Sequence, residues 1–167
     1  MADPVTIRRA TGADADALGR LGELLVAVHH QFDARRFIAP GPGTRKGYGE
    51  FLAGQIGRPD ALVLVAEDAG GGIAGYTYSA LEGADWLSLR GPAGVIYDLI
   101  VDPDRRRGGV GRALVAQTLE ALTELGARQV VLHAATPNAA AQALFAKAGF
   151  RPTMTEMTRD LADRPAD

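Results

Sequence analysis

The alternation of apolar and polar positions divides the chain into strand-like and helix-like segments. Short runs rich in β-branched and aromatic residues, bounded by glycine, proline or aspartate, predict strands. These runs lie at residues 4–10, 61–68, 73–81, 94–101, 129–134 and 153–161. The sequence Ala-Gly-Gly-Gly between the second and third runs is typical of a hairpin connection.

Apolar residues at helical spacing predict four helices. They cover residues 13–32, 44–56, 111–125 and 138–148. The first begins with a capping box, in which Thr11 is the N-cap and Asp14 stands at N3. The second contains three glycines, which weaken its helix propensity. The fourth is predicted to begin with Thr136 as N-cap and Pro137 at N1, and to end at Gly149.

The order of these elements is β-α-α-β-β followed by β-α-β-α-β, which predicts an α/β (α+β) fold. No repeat or linker divides the chain, and a length of 167 residues suits a single hydrophobic core. We therefore expect residues 1–161 to form one domain. The residues Ala-Asp-Arg-Pro-Ala-Asp at 162–167 are expected to form a C-terminal tail.

Composition narrows the possible partners. Apolar residues make up 47% and charged residues 23% of the chain, and the net charge of −2 argues against nucleic acid. Cysteine is absent, which excludes disulfides and cysteine-based zinc sites and is consistent with a reducing cytoplasm. The N-terminus lacks the apolar segment of a secretory signal, and no apolar run is long enough to cross a bilayer. We expect a cytoplasmic protein with neither a nucleic-acid nor a membrane partner.

Positive charge and glycine are concentrated between the fourth predicted strand and the third predicted helix. Arginines at positions 105–107 and 112 surround glycines at positions 108, 109 and 111. A helix N-terminus carries unpaired N–H groups, and glycines allow the backbone to approach an anion closely. This combination predicts a pyrophosphate site, and the alternative is a solvated loop with a glycine cap.

Two common phosphate-binding motifs do not fit this loop. A P-loop requires Gly-x-x-x-x-Gly-Lys-Ser/Thr, which is absent. A dinucleotide fingerprint follows the first strand of a βαβ unit tightly, whereas here seven residues separate Val101 from Gly109. A nucleotide-dependent redox domain is therefore disfavoured.

A different pattern, Gln/Arg-x-x-Gly-x-Gly/Ala, matches Arg106-Arg107-Gly108-Gly109-Val110-Gly111. It follows Leu-Ile-Val-Asp-Pro, and the segment Asn-Ala-Ala-Ala-Gln-Ala-Leu-Phe-Ala-Lys-Ala-Gly-Phe lies downstream. The pair of segments resembles the GCN5-related N-acetyltransferase (GNAT) superfamily, and the likeness covers about residues 93–151. It implies a single-domain GNAT fold, with a mixed central sheet of about seven strands flanked by four helices.

The resemblance also implies a cosubstrate, acetyl-CoA. In the family the glycine-rich loop holds the pyrophosphate of coenzyme A, the preceding strand pairs with its pantetheine arm, and an asparagine of the second segment lies beside that arm. The residues expected to bind coenzyme A are Leu99, Ile100, Val101, Arg106, Arg107, Gly108, Gly109, Val110, Gly111, Arg112, Asn138, Phe145 and Lys147. For Lys147, the alternative is an exposed helix lysine.

Acetyl transfer to an amine requires a neutral amine, and three side chains are candidates for catalysis. His133 lies where some family members carry an acidic residue, and an imidazole titrates near neutrality. Asp98 could hold a water or a cationic amine, or bond a neighbouring loop. Tyr97 stands where several relatives carry a glutamate base, but a phenol of pKa about 10 cannot replace a carboxylate at pH 7.

Phe145 is a second departure from the family, which usually has a tyrosine there that protonates the departing thiolate. The first hypothesis is an acetyl-CoA-dependent N-acetyltransferase acting on a primary amine of a small molecule or protein. The alternative is a non-catalytic acyl-CoA-binding regulatory module of the same fold. The sequence does not identify the amine acceptor, and an apolar C-terminal strand could pair across a homodimer.

No metal site is expected. His29 and His30 are adjacent on a predicted helix, so they point to different faces and cannot chelate one ion together. His29 and Gln31 are expected to line the acceptor side or to lie on the helix surface.

Overall fold

The computed structural model describes residues 5–161, and the predicted tail at 162–167 lies outside the described residues. The described chain forms strands β1 (Val5–Arg9), β2 (Ala61–Asp68), β3 (Ile73–Glu82), β4 (Ala93–Val101) and β5 (Val130–Leu132). Its helices are α1 (Ala15–Phe32), α2 (Thr44–Ala53), α3 (Val110–Glu124) and α4 (Ala139–Lys147). Short 3-10 turns precede α1 and follow β4.

The strands form one mixed sheet in the order β1-β2-β3-β4-β5. The first four strands are antiparallel neighbours, and β5 joins β4 in parallel through the crossover helix α3. The α/β class, the mixed sheet and the four helices are therefore confirmed. The number of strands is wrong, since residues 5–161 contain five strands rather than about seven.

Of the six segments predicted individually as strands, the one at 153–161 does not form a strand. This segment has no strand partner among residues 5–161, and its side chains are exposed. Its acidic residues instead form ion pairs with the loop after α1, Glu156 with Arg36 and Asp160 with Arg35. A β-compatible sequence forms a strand only where a neighbouring edge supplies hydrogen bonds, which explains the failure of this prediction.

The start of α4 also differs from the prediction. Asn138, rather than Thr136, is the N-cap, and its side-chain oxygen accepts a hydrogen bond from the Ala141 N–H at 3.2 Å. Pro137 therefore lies before the helix. Asparagine caps a helix at least as well as threonine, so the stronger cap two residues later fixes the start.

The sheet is buried between two helical layers. On one face α1 and α2 cover a core built around Leu18, Leu21, Leu52 and Tyr76. On the other face α3 packs on the sheet through residues that include Val110, Leu114 and Leu122. The α1–α2 layer and α3 therefore cover opposite faces of the sheet, and a cavity on one face is bordered by the helices of that face.

Close approach between α1 and α2 depends on glycine. A side chain at Gly19 would lie 2.3 Å from the Arg45 carbonyl oxygen, and one at Gly49 would lie 2.6 Å from the Ala15 carbonyl oxygen. Gly49, one of the glycines that weaken the helix propensity of α2, therefore allows the two helices to approach each other closely. Gly22 leaves space for the ring of Tyr48, which would otherwise be 2.2 Å from an added Cβ.

An ionic cluster joins the start of α1 to the sheet edge. Arg8 on β1 donates to both oxygens of Asp14, at 2.8 and 2.9 Å, and also bonds Glu67 on β2. Asp14 further accepts the Thr11 N–H at 2.7 Å, as the capping box predicts. The hydrogen bond from Arg8 lowers the pKa of Asp14 from 3.8 to about 2.

We expect Asp14→Asn to lower the free energy of unfolding at pH 7 by about 2 kcal/mol, since each unit of pKa shift is worth about 1.4 kcal/mol. A depressed folded-state pKa gives stability that is complete above the unfolded pKa and is lost as pH falls through the folded value. The deficit should therefore shrink between about pH 5 and pH 2 in urea titrations. Asp16→Asn, which removes an exposed carboxylate of the same turn, is the control. A deficit that is independent of pH would contradict this account.

Candidate functional site

An irregularity in β4 determines the geometry of the site. Tyr78 of β3 pairs with Asp98, but the next residue, Ser79, pairs with Ile96. Tyr97 is therefore an extra residue on β4, and its insertion forms a β-bulge. Because of it, two consecutive side chains lie on the α1–α2 face: Tyr97 stacks on Tyr78 and Asp98 bonds Tyr76.

The bulge coincides with the end of pairing between β4 and β5. The two strands pair only over Gly94–Ile96 and Val130–Leu132. Beyond Ile96, β4 continues to Val101 with strand partners from β3 alone among the described residues. One edge of residues 97–101 is thus free of a neighbouring strand. Such an edge presents N–H and C=O groups that can pair with an extended ligand.

A cavity of about 290 Å³ lies on the α1–α2 side of the bulge. Its lining residues come from α1, the loop after it, α2 and β4: Leu25, Val26, His29, Phe37, Ile38, Tyr48, Tyr97 and Asp98. The structure therefore brings two predicted catalytic residues, Tyr97 and Asp98, into one cavity. His29, which was expected on the acceptor side or on the helix surface, also lines this cavity.

Asp98 is the buried acid of this cavity, with 8% of its surface exposed. Its Oδ2 atom accepts hydrogen bonds from the Tyr48 hydroxyl at 2.8 Å and the Tyr76 hydroxyl at 3.0 Å. Burial raises the pKa of Asp98 above 3.8, while the two tyrosines and the nearby His29 oppose the rise. The carboxylate is thus fixed in position at a cost in desolvation.

Tyr97 is half exposed beside this acid. Its ring stacks on Tyr78 with centroids 4.9 Å apart, and its hydroxyl donates to Glu82. Burial and the bond to Glu82 raise the pKa of Tyr97. The phenol therefore stays protonated at neutral pH, so the ring offers a flat wall and no base.

His29 is held in one tautomer. Its Nδ1 atom lies 2.8 Å from the Leu25 carbonyl oxygen, which can only accept a hydrogen bond. Nδ1 therefore carries a proton, and the neutral ring has its lone pair on Nε2. Edge contacts with Phe32 and Phe37, at centroid distances of 5.9 and 5.1 Å, fix the ring plane. Nε2 has no hydrogen bond to any other residue in the 5–161 range.

The arginine- and glycine-rich loop begins α3. Gly109 is the N-cap and has φ of +83°, and Arg107 has φ of +65°. The buried Val110 side chain anchors the loop in the core beside Leu114. Left-handed residues before a helix turn successive N–H groups toward one point, which makes a concave site for an anion. The backbone of the loop is thus compatible with an anion, and its role as a pyrophosphate site stays a prediction.

The four arginines of the loop differ in their partners. Arg105 is tied to Asp68 of the β2–β3 hairpin at 2.7 Å. Arg106 donates to the Val101 carbonyl oxygen at 3.2 Å, at the end of the open β4 edge. Arg107 and Arg112 have no ion pair with any other residue in the 5–161 range. Their charge is available to an anion.

The remaining predicted coenzyme residues lie on α4. The Asn138 oxygen caps this helix, which leaves its side-chain N–H group without a partner from residues 5–161. Phe145 is buried and packs on Phe150 at 5.7 Å. Lys147 is exposed. Leu144 lies 3.3 Å from the position of a Cβ on Gly111, so α4 is adjacent to the first turn of α3.

His133 lies apart from the cavity. It follows the last residue of β5, is exposed, and does not line the cavity that contains Asp98. Its charge does reach Glu156, whose pKa is lowered by Arg36 and, more weakly, by His133. Its catalytic role stays a prediction.

Sequence reasoning missed the residues that position the acid and close the cavity: Tyr48, Tyr76, Phe37 and Ile38. The two tyrosines lie at positions where the spacing of apolar residues predicts a place in the hydrophobic core. The other two residues lie in a loop without a motif. Among residues 5–161 no cluster of His, Asp or Glu could hold a metal. Within the same range, no helix is both long and apolar enough to span a membrane.

Known proteins resemble this chain in sequence. The family model described as the acetyltransferase (GNAT) family matches residues 27–150. A mycothiol acetyltransferase of Clavibacter michiganensis subsp. michiganensis is 41% identical over 91 residues, which are 54% of this chain and 27% of that protein. The matched part is thus well under two thirds of that curated relative.

Solved structures resemble the chain over nearly its whole length. A mutant of the BH1408 protein from Bacillus halodurans has a TM-score of 0.79 at 23% identity, over 93% of this chain and 99% of that one. An aminoglycoside acetyltransferase from an uncultured soil metagenomic sample, in complex with sisomicin, has a TM-score of 0.64 at 25% identity. That match covers 94% of this chain and 96% of the other.

We expect Asp98→Asn to be at least as stable as the wild type at pH 7. The variant keeps an oxygen for Tyr48 and Tyr76 but removes the desolvation of a charge. A raised folded-state pKa means that the wild type has its full stability below pH 3.8 and loses part of it as pH rises. Urea titrations should thus show that the free energy of unfolding of the wild type rises relative to that of the variant as pH falls. A variant that is less stable by the same amount at every pH would contradict this expectation.

Proposed function

The chain belongs to the acetyltransferase (GNAT) family, and we propose that it transfers the acetyl group of acetyl-CoA to a primary amine of a small molecule or protein. Acetyltransferases of this family generally use acetyl-CoA. The observation that carries the proposal is the β4 edge, which opens at Tyr97 between an anion loop and a cavity with a buried acid. A thioester held along that edge would meet an amine held in the cavity.

The binding of the cosubstrate follows from the loop and the edge. The N–H groups that begin α3, with Arg107 and Arg112, would hold the pyrophosphate. Residues Leu99–Val101 would pair with the amide groups of the pantetheine arm, as an added strand does. The free N–H group of Asn138 lies on the adjacent helix α4 and would serve the same arm.

The reaction needs an amine lone pair. At pH 7 an alkylamine of pKa about 10.4 is only about 0.04% neutral, so a base must take its proton. The nitrogen then attacks the thioester carbonyl carbon and the C–N bond forms. The adduct loses its extra N–H proton to water, and the C–S bond breaks to release the coenzyme as a thiolate. Backbone N–H groups of β4 beyond the bulge would polarise the carbonyl. Phe145 cannot protonate the thiolate, so water supplies that proton.

Two histidines compete for the role of base. His29 lies in the cavity with Asp98, and its free Nε2 can accept the proton of an ammonium ion. Asp98 would attract that ammonium ion and stabilise the imidazolium that forms. His133 is exposed outside the cavity. We therefore place the base at His29 and retain His133 as the alternative that the family resemblance suggests.

Binding of acetyl-CoA can be tested by calorimetry on loop variants. We expect Gly109→Val to weaken binding at least tenfold, because a β-branched residue does not adopt φ of +83° and the N–H groups would turn away. Gly126→Val places the same strain at the other end of α3, where φ is +93°, and should keep the affinity. Arg105→Ala should also bind normally. Equal affinity of Gly109→Val and the wild type would refute the loop as the pyrophosphate site.

The base can be assigned from pH–rate profiles. We expect His29→Ala to lose about 10² to 10⁴ in kcat/KM and the acid limb of the profile, while it still binds acetyl-CoA. His133→Ala should stay within about threefold of the wild type. The reverse outcome would move the base to His133. If acetyl-CoA binds but no amine releases free thiol, the chain is a binding module of the same fold.

A further inference from the structure

The walls of the cavity select among amines. We propose that the acceptor is a small monocation whose amine is attached to an apolar, preferably aromatic, group. This inference rests on the proposed acetyl transfer and adds the chemical class of the acceptor. It follows from the size of the cavity, the number of charges in its lining and the surface that surrounds the single acid.

The cavity suits a small molecule. Its volume of about 290 Å³ is near the lower end of the range for ligand sites. Five of the eight lining side chains are hydrocarbon surfaces: Leu25, Val26, Phe37, Ile38 and the ring of Tyr97. A ligand that fills this space therefore loses water from most of its surface, which favours an apolar skeleton.

One carboxylate lines the cavity, and half of it is already engaged. Asp98 Oδ2 accepts both tyrosine hydroxyls, and Oδ1 has no hydrogen bond from residues 5–161. Oδ1 can therefore accept from one ammonium group. The nearby Glu82 does not line the cavity, and Arg90 and the Tyr97 hydroxyl already bond it. The lining thus provides for a single positive charge.

Three phenyl or phenol rings, those of Phe37, Tyr48 and Tyr97, line the cavity that contains Asp98 and form its aromatic wall. Behind this wall, Tyr97 stacks on Tyr78, and Tyr78 meets Phe51 edge to face at 5.6 Å. Phe51 in turn meets Tyr48 at 6.1 Å, so the rings behind the lining connect its two tyrosines. Ring faces attract cations and stack on aromatic groups. An arylalkylamine would use both interactions, with its ammonium on Asp98 and its ring along the wall.

The entrance of the cavity disfavours a second positive charge. Phe37 and Ile38 follow Arg35 and Arg36, and the Arg36 guanidinium lies 4.9 Å from the Phe37 ring centroid. Glu156 and Asp160 are already paired with these arginines, and Asp33 accepts the backbone N–H groups of both. A polyamine or aminoglycoside would therefore place its further ammonium groups against apolar surface or against acids that already have partners, which carries a desolvation cost without compensation.

The test compares amines in an assay of thiol release from acetyl-CoA. We expect kcat/KM for 2-phenylethylamine to exceed that for spermidine and sisomicin at least tenfold. Calorimetry with acetyl-CoA alone is run beside it. If acetyl-CoA binds and the polycations are the better substrates, the inference on the acceptor is overturned while the proposed function stands. If acetyl-CoA does not bind, both are overturned.

A charge placed in the wall gives a second test. Ile38 lines the cavity and is 77% exposed, so Ile38→Glu adds a second carboxylate without disturbing the core. We expect it to raise the ratio of kcat/KM for 1,5-diaminopentane over 2-phenylethylamine at least tenfold. Leu89→Glu makes the same change at an 86% exposed residue outside the cavity and should leave the ratio unchanged. An unchanged ratio in Ile38→Glu, or an equal rise in Leu89→Glu, would contradict the proposal.

Discussion

One extra residue in β4 is the constraint on which the site depends. In a regular strand, Tyr97 and Asp98 would point to opposite faces of the sheet. The bulge places both on the α1–α2 face and coincides with the end of pairing between β4 and β5. A cavity and an open strand edge therefore meet at the same two residues. A strand without the bulge would place only one of the two side chains on that face.

The packing around the bulge fixes the position of the buried acid rather than adding to the stability of the fold. Burial works against the charge of Asp98, and two tyrosine hydroxyls hold that carboxylate in place. Tyr48 reaches it only because Gly22 leaves room for its ring. A buried acid with a raised pKa beside a histidine in a cavity is typical of a functional site rather than of a structural core. The two helices that border the cavity thus hold the acid rather than merely covering the sheet.

The sequence predicted the local features of this molecule better than its long-range ones. Hydrophobic periodicity located all four helices and five of the strands. The anion site that the charge and glycine content of residues 105–112 indicate stays a prediction. The bulge could not be predicted, since it depends on the register between β3 and β4. The segment 153–161 has strand character but no partner among the described residues. The helix of His29 carries no motif, and only the tertiary fold brings His29 and Asp98 into the lining of one cavity.

Amide hydrogen exchange along β4, with and without coenzyme A, tests the central claim most directly. We expect N–H groups within residues 97–101 that are not bonded to β3 to exchange rapidly in the free protein and to become protected when coenzyme A is added. Amides of the interior strand β2 should not change. Binding of coenzyme A without any new protection at residues 97–101 would contradict the proposal that the β4 edge beyond the bulge holds the cosubstrate.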